Sequence, residues 1–457
     1  MFVKSRDSVD FARQQCSNLD QPIGLSAPPH PDTRPHPDTR RTPMRTVHRR
    51  ATVASLAIVL LATATGCSAT RGEDTASGSG SGEARTSCDE NGVSQGITDD
   101  TIKLGSFTPL TGPVADPGTS GLAGLQYAID TANADGGIDG RQIELVVEDD
   151  QYDASVALQA ARRLNESDEV FAFTGGIGTP NFVGVLPYIK QNAIPAVGPY
   201  APSNQVGVME NPDVFMIWPN FVDEFDVAVS WMMENEPVES ASLVQQVGDV
   251  GDDALAGIEK ALDGTGVELS TIQTVEPTTT DFSAIAQALR NADSEMVMFI
   301  AGPVVVGQVI QAMHQIGYEP RLLGQSDMTD ESWLSEFGDE GEGMIVATKV
   351  APFGSDDPLV QQFVDDWTAD NGEAPTMWNA AGYTQGLVTI EALKTAPALT
   401  RDCFEFALET MSDFETGLIP PVTFGPDSRQ GTNAVGVAKI EDGEVVQVAP
   451  FQLVSGD

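Results

Sequence analysis

From Thr98 onward, apolar positions alternate between two spacings along the chain. Short apolar runs at 102–107, 143–147, 170–174 and 194–197 read as strands, and each ends in a loop. Between them, apolar residues recur three and four positions apart. Leu122, Leu125, Ile129 and Ala132 predict a helix over 119–134 that Gly136-Gly137 stops; Val156, Ala160 and Leu164 predict another over 154–165, and a third spans 180–191. After a strand at 214–218 the rhythm restarts. Helices at 222–234, 252–263, 282–291 and 304–316 alternate with strands at 242–246, 269–275, 296–300 and 321–324. A short helix at 330–336 and a strand at 344–348 follow, then helices at 356–368, 377–394 and 402–411. Three strands near 419–424, 434–440 and 444–450 close the chain, with Asp442-Gly443 as a hairpin turn. Strands spaced by helices make parallel sheets with crossover helices on their faces. Two sets of such units predict an α/β protein of two doubly wound lobes, and the cleft between them is the default ligand site.

The amino end has a different character. Its opening 43 residues carry the hexad Pro-His-Pro-Asp-Thr-Arg twice and no hydrophobic period, so they have no face to bury and read as an upstream extension before Met44. At 44–66, Arg45, Arg49 and Arg50 precede an apolar run from Ala51 to Ala64, which has the form of an export signal. Ala64-Thr65-Gly66-Cys67 resembles the lipobox of bacterial lipoproteins, with alanine where leucine is usual. That resemblance implies cleavage before Cys67 and acyl chains, palmitate among them, on its amino end and sulfur. The alternative is an ordinary secretory signal with an accidental cysteine. Residues 67–87, rich in Gly and Ser, then read as a flexible tether. Anchor, tether and body together predict a lipid-anchored protein on the extracellular face of a bacterial cell membrane, of the Gram-positive kind.

Charge narrows the partners. Of the 457 residues, 67 are acidic and 24 basic, and Cys67 onward holds 62 of the first and 15 of the second. Such a surface repels a polyphosphate and excludes nucleic acid as a partner; it also favours a monomer. Cys88 and Cys403 lack metal spacing and, in an oxidising compartment, read as one disulfide, with two unpaired thiols as the alternative.

Catalytic chemistry is poorly served. His314 is the only histidine after the signal and sits in a predicted helix. A zinc cluster or a Ser-His-Asp triad is therefore not supplied, and there is no G-x-S-x-G elbow and no P-loop. Gly175-Gly176-Ile177-Gly178 follows a strand but lacks the dinucleotide pattern. The expectation is no enzyme, no cofactor and no metal. What the chain does offer is three loops at strand ends: Phe107 to Gly112, Gly175 to Pro180, and Gly198 to Ser203. Free N–H groups at the start of the helix after Gly178, with the Thr179 hydroxyl, suit a carboxylate; Tyr200 could stack and Ser203 donate.

The stretches Ile102 to Pro113 and Asp135 to Leu145, with Glu148-Asp149-Asp150, Gly324 and Pro421 to Asp427, resemble the periplasmic branched-chain amino acid-binding proteins, the type I solute receptors of ABC transporters. The resemblance covers about 98–450. It implies two lobes, 98–218 with 351–417 and 219–350 with 418–453, joined by a three-stranded hinge. They close on a small solute and present it to a membrane permease. It implies that Thr108, Gly178, Thr179, Tyr200 and Ser203 contact the solute from the first lobe. In the second, the family's ammonium-binding acid aligns with Ser326, next to Asp327; its aromatic aligns with Gly302 and its tyrosine with Val250. The fit to leucine, isoleucine or valine is thus weak, and a larger acid, an amide, a short peptide or an aromatic carboxylate is equally admitted. A sensor of the same fold that signals instead of transporting is the alternative, which neighbouring permease or signalling genes would separate.

Overall fold

The computed structural model describes residues 85–454. The expected extension, export signal and Cys67, with most of the tether, lie outside them. Among the described residues no helix is long and apolar enough to cross a membrane.

The first half is a five-stranded parallel sheet in the order β2-β1-β3-β4-β5. Its strands are β1 (Thr101–Thr108), β2 (Gln142–Asp149), β3 (Ala172–Thr174), β4 (Ala196–Val197) and β5 (Val214–Phe215). Crossover helices α1 (Ala115–Ala134), α2 (Ala154–Glu166) and α3 (Thr179–Asn192) connect them. The second sheet is built from β6 (Ala241–Gln246), β7 (Leu269–Val275), β8 (Met296–Ile300), β9 (Arg321–Gly324) and β10 (Ile345–Thr348), all parallel. Helices α4 (Phe221–Asn235), α5 (Asp249–Leu262), α6 (Ser283–Ala292), α7 (Pro303–Gln315) and α8 (Glu331–Phe337) flank it. The chain then returns through α9 (Pro358–Asn371), α10 (Met377–Thr395) and α11 (Arg401–Glu409), whose buried residues join the core of the first sheet. It ends as an antiparallel hairpin, β11 (Ala434–Glu441) and β12 (Glu444–Leu453), added to the second sheet in the order β12-β11-β10-β9-β8-β6-β7. Its turn sets Asp442 at φ 54° and Gly443 at φ 76°, the left-handed pair a tight hairpin requires.

Burial follows sheet position. Central β8 is buried at every residue, while edge strand β7 alternates between covered and open faces. Separate apolar clusters lie on the two sides of the second sheet: α4 and α5 cover one, α6 to α8 the other. Both sheets are therefore doubly wound. Three segments cross between the halves and are hydrogen-bonded to one another. The Met216 N–H donates to Arg429 O at 2.8 Å, Gly431 N–H to Met216 O at 2.7 Å, and Ala351 N–H to Leu418 O at 2.8 Å.

Two expectations are corrected. Residues 419–424 form no strand, only an isolated bridge between Phe414 and Val422; Pro420-Pro421 has no N–H to donate to a ladder. Helix α1 begins at Ala115, not 119, because Pro117 is tolerated in a first turn and Gly118 is needed there: a Cβ at Gly118 would lie 1.9 Å from Pro109 O. The cysteine reading holds: Cys88 and Cys403 are disulfide-bonded across 315 positions, with Cα atoms 4.9 Å apart.

A cleft at the carboxyl ends of both sheets

In open parallel sheets, ligands bind beyond the carboxyl ends of the strands, where the following helices begin. Here the two sheets bring those ends together around a cavity of about 50 Å³. The first half supplies Val114 and Pro117 from the start of α1, Tyr152 after β2, Ile177, Gly178 and Thr179 at the start of α3, and Tyr200 and Pro202 after β4. From the second half come Phe221, Gln246, Val250, Ala301, Gly302, Pro303, Gln325 and Asp327. Trp378, at the start of α10, closes the side. A neighbouring recess of about 290 Å³ shares Val114, Pro117, Pro303 and Trp378. A larger depression of about 770 Å³ lies elsewhere, against residues 420–434 and β12, away from the strand ends.

Most of the wall is apolar, and its polar groups fall into two sets. At one end, Gly178 takes φ 126° as the residue before α3, a value that favours glycine, and its N–H donates to Tyr200 O at 3.0 Å. Helix α3 starts here with no side-chain cap. The N–H groups of Thr179 and Asn181 therefore have no intrahelical partner, and Pro180 has none to offer. Thr179 is 4 % exposed and its hydroxyl adds a third donor.

At the other end, Asp327 lines the cavity and Glu224 is buried outside its lining, and both carboxylates are held by the protein itself. Asp327 accepts the Tyr200 hydroxyl at 2.9 Å and the Gln325 amide at 2.6 Å. Burial, helped by Glu224, pushes its carboxyl up to about 6 against the opposing pull of Lys349 and these hydrogen bonds. Glu224 pairs with Lys349 at 2.6 Å, both side chains essentially unexposed, and also accepts the Ser326 N–H at 2.6 Å. Tyr200 belongs to the first half and Asp327 to the second, so their bond ties the halves together across the cleft. The Tyr200 ring packs 5.0 Å from both Trp218 and Trp378, with the Lys349 ammonium 5.3 Å from its centroid. Burial, with Asp327 and Glu224 nearby, raises the Tyr200 hydroxyl well above the usual phenol range.

Of the residues expected at the site, Gly178, Thr179, Tyr200, Val250, Gly302 and Asp327 line the cavity. Ser326 stands just behind it, its hydroxyl 3.3 Å from that of Tyr200. Thr108 and Ser203 do not reach it. Thr108 is buried near the end of β1 with its hydroxyl unpartnered. The Ser203 hydroxyl donates to Asp253 at 2.7 Å, because the loop after Pro202 folds back toward α5. Tyr152, Gln246, Gln325 and Trp378 were not anticipated. Gln246 donates to the Tyr152 hydroxyl at 3.2 Å, a second link across the cleft. The Gln325 side-chain carbonyl is buried without a partner. Gln246 ends β6 and Gln325 follows β9, so their position at strand ends was the available signal. Among the described residues there is no cluster of His, Cys, Asp and Glu that could hold a metal.

The model of the family described as periplasmic binding protein matches residues 101–444. A leucine-, isoleucine-, valine-, threonine- and alanine-binding protein of Pseudomonas aeruginosa is 23 % identical over 322 residues, covering 68 % of this chain and 86 % of its own. Among solved structures, a fatty acid ABC transporter substrate-binding protein from Thermomonospora curvata superposes with a TM-score of 0.73 at 24 % identity, over 79 % of this chain and 94 % of that one. A branched chain amino acid ABC transporter from Thermus thermophilus with bound valine gives 0.72 at 18 % identity, over 79 % and 98 %. At these identities the two likenesses are of fold.

Proposed function

The chain belongs to the periplasmic binding protein family, with the type I fold, and on that premise we propose that it is the solute-binding component of an ABC importer. It captures a small carboxylate-bearing solute, an amino acid or a related compound, between its halves and delivers it to a membrane permease. The observation that carries this reading is the cavity itself. Residues from both halves line it, Thr179 at the uncapped start of α3 among them. At about 50 Å³ it holds little more than a water or two, so solute entry requires the halves to part about the three crossing segments. The lobes, 98–218 with 351–417 and 219–350 with 418–453, then close again in a hinge motion that bound solute stabilises. Lipid attachment at Cys67, on the extracellular face of a bacterial membrane, rests on the lipobox-like Ala64-Thr65-Gly66-Cys67 and suits such a role.

A thermal-shift panel on the full chain tests it, with amino acids, aliphatic and aromatic acids, amides, short peptides and polyamines at fixed salt. The expected outcome is stabilisation by one carboxylate-bearing class, lost on Thr179→Ala. Stabilisation by amides or polyamines alone would sink the carboxylate reading.

A further inference from the structure

The reading of a solute receptor leaves open what accompanies the carboxylate, and the polar groups of the cavity bear on that. An α-amino acid brings a carboxylate and an ammonium, and needs donors for one and a carboxylate for the other. The donors are present and unpaired, at Thr179 and the start of α3. Carboxylates are present too, but neither is idle. Glu224 has one oxygen on the Lys349 ammonium and the other on the Ser326 N–H. Asp327 has one on the Tyr200 hydroxyl and the other on the Gln325 amide.

Behind that wall, and not lining the cavity, the protein already holds an ammonium. Lys349 is 1 % exposed by side chain, held over Tyr200 and, at 4.9 Å, over Phe221. Asp327 already has Lys349 as a nearby cation, so a solute ammonium would have to share that carboxylate with it in a desolvated setting. The free acceptor on this side is neutral: the buried Gln325 side-chain carbonyl. The remaining wall, with Val114, Ile177, Val250, Pro303 and Trp378, is apolar.

Resting on the receptor function above, we propose that the solute is a carboxylate without an ammonium group. It is an apolar aliphatic or aromatic monocarboxylate, with at most a neutral donor such as a hydroxyl for Gln325. Its carboxylate sits at the start of α3 on Thr179, and its apolar body lies along Val250, Pro303 and Trp378. Tyr200 occupies the place where an ammonium would otherwise meet the acid.

Calorimetric titration of the full chain with matched pairs tests this: leucine against 4-methylpentanoate, and phenylalanine against 3-phenylpropanoate. In each pair only the ammonium differs. The expected result is that the acid binds at least about tenfold more tightly than the amino acid in one pair or both. Asp327→Asn, which removes a negative charge near the solute, is expected to tighten acid binding by about threefold or more. Tyr200→Phe, which releases one Asp327 oxygen, is expected to narrow the preference for the acid. An amino acid that binds as tightly as its matched acid, and is lost on Asp327→Asn, overturns this inference while leaving the receptor reading intact. No binding by either member of either pair overturns the carboxylate reading and this inference together.

Discussion

Lys349 and Glu224 show how much of this site is internal scaffolding. An ion pair this deeply buried is costly to desolvate, and removing one partner strands the other. Lys349→Met alone is expected to cost about 3–5 kcal/mol, whereas Lys349→Met with Glu224→Leu costs much less. Urea unfolding of the two variants beside the parent chain measures the difference; equal losses would mean that the pair is not coupled. The place of Thr179 against the cavity was legible from sequence, because a glycine loop between a strand and a helix sits at a strand's carboxyl end. The role of Tyr200 was only half legible. An aromatic in a strand-end loop suggested stacking, but its partners Trp218, Trp378 and Asp327 lie 18, 178 and 127 positions further along the chain, and no local pattern connects them. Ser203 was misplaced for the same reason: its partner Asp253 lies on another element of the other half.

The element order was almost entirely legible, because helical and strand periodicities differ and glycines mark the boundaries. What periodicity does not reveal is which helices lie together. Helices α1 and α10, some 240 residues apart in sequence, approach so closely that a Cβ at Gly382 would stand 1.8 Å from Gly121 O, and one at Gly124 1.9 Å from Asn379 O. Gly382→Ala is therefore expected to force these helices apart and destabilise the fold by about 1–3 kcal/mol. Gly354→Ala, with no atom within 4 Å of the added carbon, serves as the control and should change little. Thermal melts of both variants decide the matter. This contact also shapes the cavity. It places Trp378 against the cavity while Met377, beside it, donates its N–H at 2.8 Å to Glu331 at the start of α8 in the other half.

For the molecule as a whole, several carboxyls hold their protons unusually well. Burial, with Asp330 close by, pushes Glu331 up to about 8. Burial and Asp213 do the same for Glu405 against the pull of Arg429, and burial brings Asp150 to about 6. The folded chain thus binds protons that the unfolded chain has released above its ordinary carboxylate range. The stability these groups contribute is fully present below about pH 4 and is lost as pH rises through 6 to 8. Urea midpoints are expected to fall between pH 5 and pH 8, with a shallower decline in Glu331→Gln and Glu405→Gln; a midpoint that rises over that range would contradict the assignment. The path of the chain has a further consequence, which concerns the order in which the parts come into being. Strands β1 to β5 are made first, but α10, which packs on α1, β3 and β4, and α11, which carries Cys403, arrive only after β6 to β10. During synthesis the first half must wait, its apolar face uncovered, while β6 to β10 are made. A chain stopped after residue 350 should therefore bind a hydrophobic dye and resist purification as a monomer. The receptor is finished from its middle outward, and the bond between Cys88 and Cys403 can form only near the end.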